Sequence, residues 1–409
     1  MASSKLPDLI ITYDQGASKT KIVAQLYPNG FPEIVLIEPE IADVGRESLM
    51  ECVLEGTPSN NCWVGIPGDG HYALGFLART QFGGLPMLNE LKYSQSIPKI
   101  CGALWVLQQR FDLPVNFIVA IVVLLPPAEV QDKEQLLCRL QQAFKGFETP
   151  TGKLKPRLLF FETVSEGSGV LSHRQRVLGK SVYFQQKIAL LMVGYRNASI
   201  FVLNRGKMEP GSTSDFGMSW MVNKFVSRVS GLSATDPKIM PLLVAASARK
   251  QEASSILAEL SRKRSPQEIA TDSELFAAAL EKSRDDYVRA LTRWVRSILP
   301  LDTNEIILCG GTAEYVQTEL DTYFQASGIS ITWNGGVEVP TNVGAGSMSS
   351  RLADVWAMHS GFQSHADTLF KYERVPKPTP SDVPKDAQKP ANSKSSIFLP
   401  MSPHLQPPK

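Results

Sequence analysis

A strand, a short glycine-bearing polar turn and a second strand occur twice in this chain, about 180 residues apart, and that repeat restricts the folds open to it. The first copy reads Leu9-Ile10-Ile11-Thr12-Tyr13-Asp14-Gln15-Gly16-Ala17-Ser18-Lys19-Thr20-Lys21-Ile22-Val23. An apolar run ends in an aspartate, small polar residues turn the chain, and apolar residues resume. The second copy is Lys187-Ile188-Ala189-Leu190-Leu191-Met192-Val193, the turn Gly194-Tyr195-Arg196-Asn197-Ala198, then Ser199-Ile200-Phe201-Val202-Leu203. Gly16 lets the backbone approach a ligand closely, and consecutive N–H groups in such a turn form an anion-binding nest. Lys19 or Lys21 adds a point charge, and Asp14 is suited to hold a magnesium ion through its waters. Each copy is followed by helices, so the repeat predicts two similar halves facing a shared cleft.

The chain of 409 residues is long enough for about two to three domains with a sizeable core. A net charge of +2 gives no electrostatic argument for nucleic acid or a membrane surface. Cys52, Cys62, Cys101, Cys138 and Cys309 are odd in number and lack CxxC spacing, which fits reduced core thiols in a cytoplasmic protein. The N-terminus MASSKLPD has no signal-peptide pattern. Val115 to Leu125 is the most apolar run; it is too short to span a bilayer and reads as a central buried strand.

Residues 1–180 are expected to form the first half, with a glycine- and proline-punctuated, loop-rich subdomain inserted at about 41–92. A strand at 115–125, a helix at 128–144 and a strand at 157–164 argue for a parallel crossover in an α/β domain. Residues 181–373 form the second half, with a long helix at 273–299, a buried strand at 305–309 and a closing helix at about 345–358. From 374 to 409 proline, serine and lysine dominate, which predicts a disordered tail. Inside it Ile397-Phe398-Leu399-Pro400-Met401 is an apolar island suited to a docking peptide.

No GxxxxGK[ST], HExxH, GxSxG or EF-hand pattern occurs, and the five histidines are dispersed. What remains is a set of glycine-containing turns after strands, at 14–20, 166–169, 194–198, 211–217 and 310–313.

In their order and spacing these turns resemble the actin-like ATPase superfamily, most of all its bacterial plasmid-segregation (ParM/StbA-type) branch. Asp14 through Lys21, with Gly16, Ser18, Lys19 and Lys21, is similar to that family's first phosphate loop. Val164-Ser165-Glu166-Gly167-Ser168-Gly169 resembles the connecting segment in which a glutamate positions the attacking water. Gly194-Tyr195-Arg196-Asn197-Ala198-Ser199 resembles the second phosphate loop, Ser212 to Gly217 the small-residue turn after it, and Cys309-Gly310-Gly311-Thr312-Ala313 the adenosine-contacting turn. One departure stands out: the family's second loop carries acidic residues where this chain has Met192 and Ser199.

The resemblance implies an α/β, actin-like (ribonuclease H-like) duplicated two-domain fold with a nucleotide cleft. It implies ATP (or GTP) and Mg2+ between the halves, with Asp14 holding the hydrated metal and Glu166 orienting water. Without the second-loop carboxylate, binding is expected more firmly than fast turnover. It also implies head-to-tail filaments, an adaptor partner, and work in plasmid or DNA partitioning or as a cell-organising scaffold, while the near-neutral charge speaks against direct nucleic acid binding. Two rivals are a scaffold that binds nucleotide without hydrolysing it, and a small-molecule kinase on the same fold, for which no substrate-side aspartate is evident. Each site also has a plainer reading: Asp14 as a turn cap, Glu166 as a helix N-terminal acid, Gly310-Gly311 as close packing, and Arg196 as a surface residue.

Overall fold

The structure is a computed structural model and describes residues 6–52, 55–86, 92–344 and 346–373. The expected disordered tail and its apolar island at 397–401 lie outside the described residues.

The first lobe is built on a five-stranded sheet of β1 (Leu9–Gln15), β2 (Thr20–Leu26), β3 (Glu33–Ile37), β4 (Ile118–Leu125) and β5 (Arg157–Ser165), in the order β5-β4-β1-β2-β3. β4 is apolar throughout, β1 is apolar but for Thr12 and its Asp14-Gln15 end, and both are buried on both faces, as expected of central strands covered by helices. β1 pairs antiparallel with β2 and parallel with β4; helix α1 (Lys92–Arg110) lies in the connection from the hairpin to β4, and helix α2 (Lys133–Ala143) in the crossover from β4 to its parallel neighbour β5. Helix α3 (Ser168–Leu178) follows β5.

The second lobe repeats the plan. β6 (Lys187–Val193), β7 (Ala198–Asn204), β8 (Lys207–Met208), β9 (Ser212–Ser214), β10 (Glu305–Cys309) and β11 (Ser330–Trp333) run β8-β7-β6-β10-β11, with β9 added on β7. Again the first strand is antiparallel to the second and parallel to the strand that returns after the helices. The helices are α4 (Met218–Val226), α5 (Ile239–Ala248), the long α6 (Pro266–Ile298), α7 (Gly311–Tyr315) and α8 (Gln317–Ala326). Along α6, Phe276, Leu280, Tyr287, Leu291 and Val295 recur at helical spacing and are buried against the sheet helices.

Two expectations are corrected. The insertion at 41–92 is not loop-rich: Ile41–Asp43, Gly70–Leu74 and Trp63–Ile66 form a sheet, which recruits Phe147–Thr149 and Gly152–Leu154 from beyond α2. Strands of three to five residues are too short for alternation to stand out between glycines and prolines. The closing helix α9 runs Ala353–Leu369 and belongs to the first lobe, not the second. Its Phe362, Ala366 and the following Phe370 pack on Ile10, Ala120 and Val122 of the first sheet. Its His359 is hydrogen-bonded to Thr12 Oγ1 at 3.2 Å and Gln25 Oε1 at 3.3 Å. α9 also crosses α3 at Gly169, where a Cβ would stand 2.2 Å from the Asp354 carbonyl oxygen, so only glycine admits the approach.

Among the described residues no helix is long and apolar enough to cross a membrane.

Candidate functional site

The two hairpins are the same device. Gly16–Lys19 joins β1 to β2, and Gly194–Asn197 joins β6 to β7; each loop opens on glycine and closes between seven-residue strands. The pairs that flank them are Gln15 with Thr20 and Val193 with Ala198. Both loops open onto one cleft of ≈ 2030 Å³ between the lobes. Gly16, Ser18 and Lys21 line it from the first lobe, with Asp14 and Glu166 at the strand ends. From the second come Gly194, Arg196 and Asn197, then Gly310, Gly311 and Thr312 at the start of α7. The glycine turn is fastened to the second loop: Thr312 Oγ1 donates to the Gly194 carbonyl at 2.8 Å, and Gly310, at φ 99°, would drive a Cβ into the Val193 carbonyl.

Two predicted site residues stand elsewhere. Lys19 is 3.4 Å from Glu38 Oε1 and is not among the residues lining the cleft, whereas Lys21 is. Gly217 supports the second loop from behind, since a Cβ there would lie 2.4 Å from the Tyr195 carbonyl oxygen. Of the segment that follows the second loop, Ser212–Ser214 is strand β9, with Thr213 Oγ1 3.0 Å from Ser199 Oγ.

The charged centre holds residues that motif reading missed. Lys21 Nζ is 2.7 Å from Asp14 Oδ2, and Lys92 Nζ, from the first residue of α1, is 3.6 Å from Asp14 Oδ1. Lys92 also donates to Glu166 Oε1. Asp14 is only 7% exposed; burial pushes its carboxyl up, but the ammonium groups of Lys21 and Lys92 outweigh it and hold the group below the usual carboxylate range. Lys92 behaves reciprocally: burial disfavours its charge, and Glu166 and Asp14 overcome that and raise it.

Asp354, at the start of α9, accepts the Gly167 N–H at 2.7 Å and the Val170 N–H at 3.1 Å. It therefore serves the N-terminus of α3, the position for which Glu166 was a candidate. Burial, with the nearby charges of Asp14 and Glu166, raises its carboxyl to about 6 despite those bonds. Arg351, in the turn before α9, donates to Ser18 Oγ of the first loop and lies where a Cβ on Gly311 would meet its Nε at 2.9 Å. One guanidinium thus touches both a phosphate-loop candidate and the nucleoside-turn candidate.

These residues do not fit a protein-held magnesium ion. Each oxygen of Asp14 already faces an ammonium, and Glu166 shares one of them. The matching position in the second hairpin is Met192, opposite Ser199, which supplies no charge.

The duplicated sheets, the cleft between them and the returning α9 decide the architecture, and solved structures agree. Crystalline apo pSK41 ParM superposes with a TM-score of 0.53 at 13% identity, covering 88% of this chain and 99% of that one. The actin-like protein Alp7A gives 0.57 at 11%, covering 88% and 97%. Bacillus thuringiensis ParM with ATP gives 0.51 at 14%, covering 87% and 99%. The chain has the actin-like fold. No protein-family model matches it, and no curated protein does. The likeness lies in the arrangement of the actin-like lobes rather than in the letters.

Proposed function

We propose that the cleft binds a nucleoside triphosphate, ATP or GTP, and that the closed, nucleotide-bound form assembles head to tail into filaments. The observation that carries this reading is the pair of glycine-opened loops, Gly16–Lys19 and Gly194–Asn197, facing one cleft together with the Gly310-Gly311 turn. Backbone amides of the loops would meet phosphate charge, with Lys21 and Lys92 beside them. The glycine turn has the close-approach backbone that a nucleoside needs. The actin-like neighbours support the same reading, since one is a Bacillus thuringiensis ParM with ATP and another an Alp12 filament.

Hydrolysis is proposed to be slow. Glu166 is the group that would orient water, and its Oε1 is engaged by Lys92. The second reading, a scaffold that binds nucleotide without turning it over, is favoured by the neutral Met192–Ser199 pair. In the cell the filament would act in plasmid or DNA partitioning through an adaptor protein, or as an organising scaffold in the cytoplasm.

Sedimentation and negative-stain electron microscopy with ATP, with GTP and without nucleotide test the reading. Filaments that require a nucleotide support it. A chain that neither binds nucleotide nor sediments overturns it.

A further inference from the structure

The cleft contains its own cation. We propose that Lys92 is the fixed counter-ion of the nucleotide's phosphate chain, seated between Asp14 and Glu166 where a divalent ion would otherwise sit, so that binding does not depend on magnesium. This rests on the nucleotide reading above and narrows it.

Three observations lead there. First, the lysine is anchored by its backbone as well as by its charge. Its carbonyl accepts from Gln15 Nε2 at 3.2 Å and from Ser96 Oγ at 2.9 Å, and Ser96 Oγ also reaches Gln15 Oε1 at 3.1 Å. Gln15 and Ser96 are both buried, and Gln15 follows Asp14 directly in β1. The start of α1 is thereby tied to the end of the strand that carries the acid.

Second, the two acids at the seat are already paired: Asp14 with Lys21 and Lys92, and Glu166 with Lys92. A hydrated magnesium needs carboxylate oxygens directed at its waters, and here both Asp14 oxygens face ammonium groups.

Third, the ammonium suits a phosphate chain. It has three donors, of which Glu166 takes one while Asp14 stands 3.6 Å away as an ion-pair partner, and the side chain lines the cleft where a phosphate oxygen would accept from it. The absence of an acid at Met192 belongs to the same design: with no metal to share, a second carboxylate would only repel phosphate.

The test is equilibrium binding of ATP to the full chain by calorimetry, in excess EDTA and in magnesium, for the wild type, Lys92→Met and Lys92→Arg. For the wild type the two affinities should agree within about threefold, a measurement that needs no variant to fold. Lys92→Met should lose about tenfold or more in EDTA and recover part of it in magnesium, as the vacated seat admits the ion. Lys92→Arg should keep metal-independent binding. A wild-type affinity that rises tenfold or more with magnesium overturns the proposal while leaving the nucleotide reading intact. So does unchanged EDTA affinity in a folded Lys92→Met. If neither ATP nor GTP binds the wild type under either condition, the nucleotide reading itself fails and this proposal falls with it.

Discussion

Asp14 and Met192 occupy the same position in two copies of one hairpin. Each is the last but one residue of a seven-residue strand, two places before the glycine that opens the loop. Their cross-strand partners correspond too: Asp14 sits opposite Lys21, and Met192 opposite Ser199. Duplication has left one lobe with an ion pair at the mouth of the cleft and the other with a thioether and a hydroxyl. The two hairpin mouths are therefore asymmetric, with the ion pair on the first lobe beside Glu166 and Lys92.

Replacing Met192 with aspartate should make that asymmetry measurable. Met192 Sδ packs within 3.0 Å of where a Cβ on Gly167 would stand, so the new carboxylate enters a partly buried place against the start of α3. A loss of about 1–3 kcal/mol of stability is expected, in the range for an uncompensated polar group. Magnesium should restore part of it in the variant and leave the wild type unchanged. Thermal unfolding with and without the ion reads both.

Glu166→Ala should slow phosphate release from ATP by about a hundredfold or more if Glu166 positions the attacking water, the lower end of what a placed base contributes. Sedimentation with ATP should be retained, with polymers that persist longer. Loss of nucleotide binding in this variant would show that Glu166 serves mainly to hold Lys92.

The crossing of α3 and α9 depends on a missing side chain. Gly169→Ala would place a Cβ 2.2 Å from the Asp354 carbonyl oxygen and 2.8 Å from the Met358 amide, both backbone atoms that cannot swing aside. Overpacking of this kind destabilises by roughly 1–3 kcal/mol. The denaturant midpoint should fall accordingly, and Asp354 should lose its bonds to Gly167 and Val170.

Stability against pH should carry two opposed contributions. Burial lowers the His359 imidazole from 6.5 to about 3, so below about pH 6.5 the unfolded chain binds a proton that the folded one refuses. Stability from this group is therefore lost on acidification, by up to about 1.4 kcal/mol per pH unit. Asp354 acts the other way: raised to about 6, it keeps its proton longer in the folded state, so stability falls as pH rises from about 4 to 6. The two slopes offset each other in the wild type. In His359→Gln only the Asp354 slope remains, and chemical denaturation should find that variant gaining stability on the wild type between pH 6.5 and 4.5.

Much of the architecture could be read from the letters because it rests on local signals. The hairpin strands, the buried run of β4 and the strand entering Gly310 all show their apolar periods directly. That Lys21 rather than Lys19 stands beside Asp14 was also within reach. A four-residue loop pairs Gln15 with Thr20, and that register sets Lys21 opposite Asp14. Lys92, Arg351 and Asp354 were not legible, because each acts on partners far along the chain and none lies in a glycine motif. Arg351 meets Ser18 across 333 residues, and Lys92 meets Glu166 across 74. Gly217 was hard to place for the converse reason: it stands in a small-residue turn, but its lack of a side chain serves the packing behind the second loop.

The return of α9 to the first sheet has a consequence for synthesis. Ile10, Ala120 and Val122 emerge early, yet the phenylalanines that cover them, Phe362 and Phe370, are translated after the entire second lobe. The lobe begun first is thus completed last, reversing the usual N-to-C order of domain maturation on the ribosome. Nascent chains ending near residue 340 and held to the ribosome by a linker long enough to clear the exit tunnel should protect β6 to β11 from protease while the N-terminal strands remain open to cleavage.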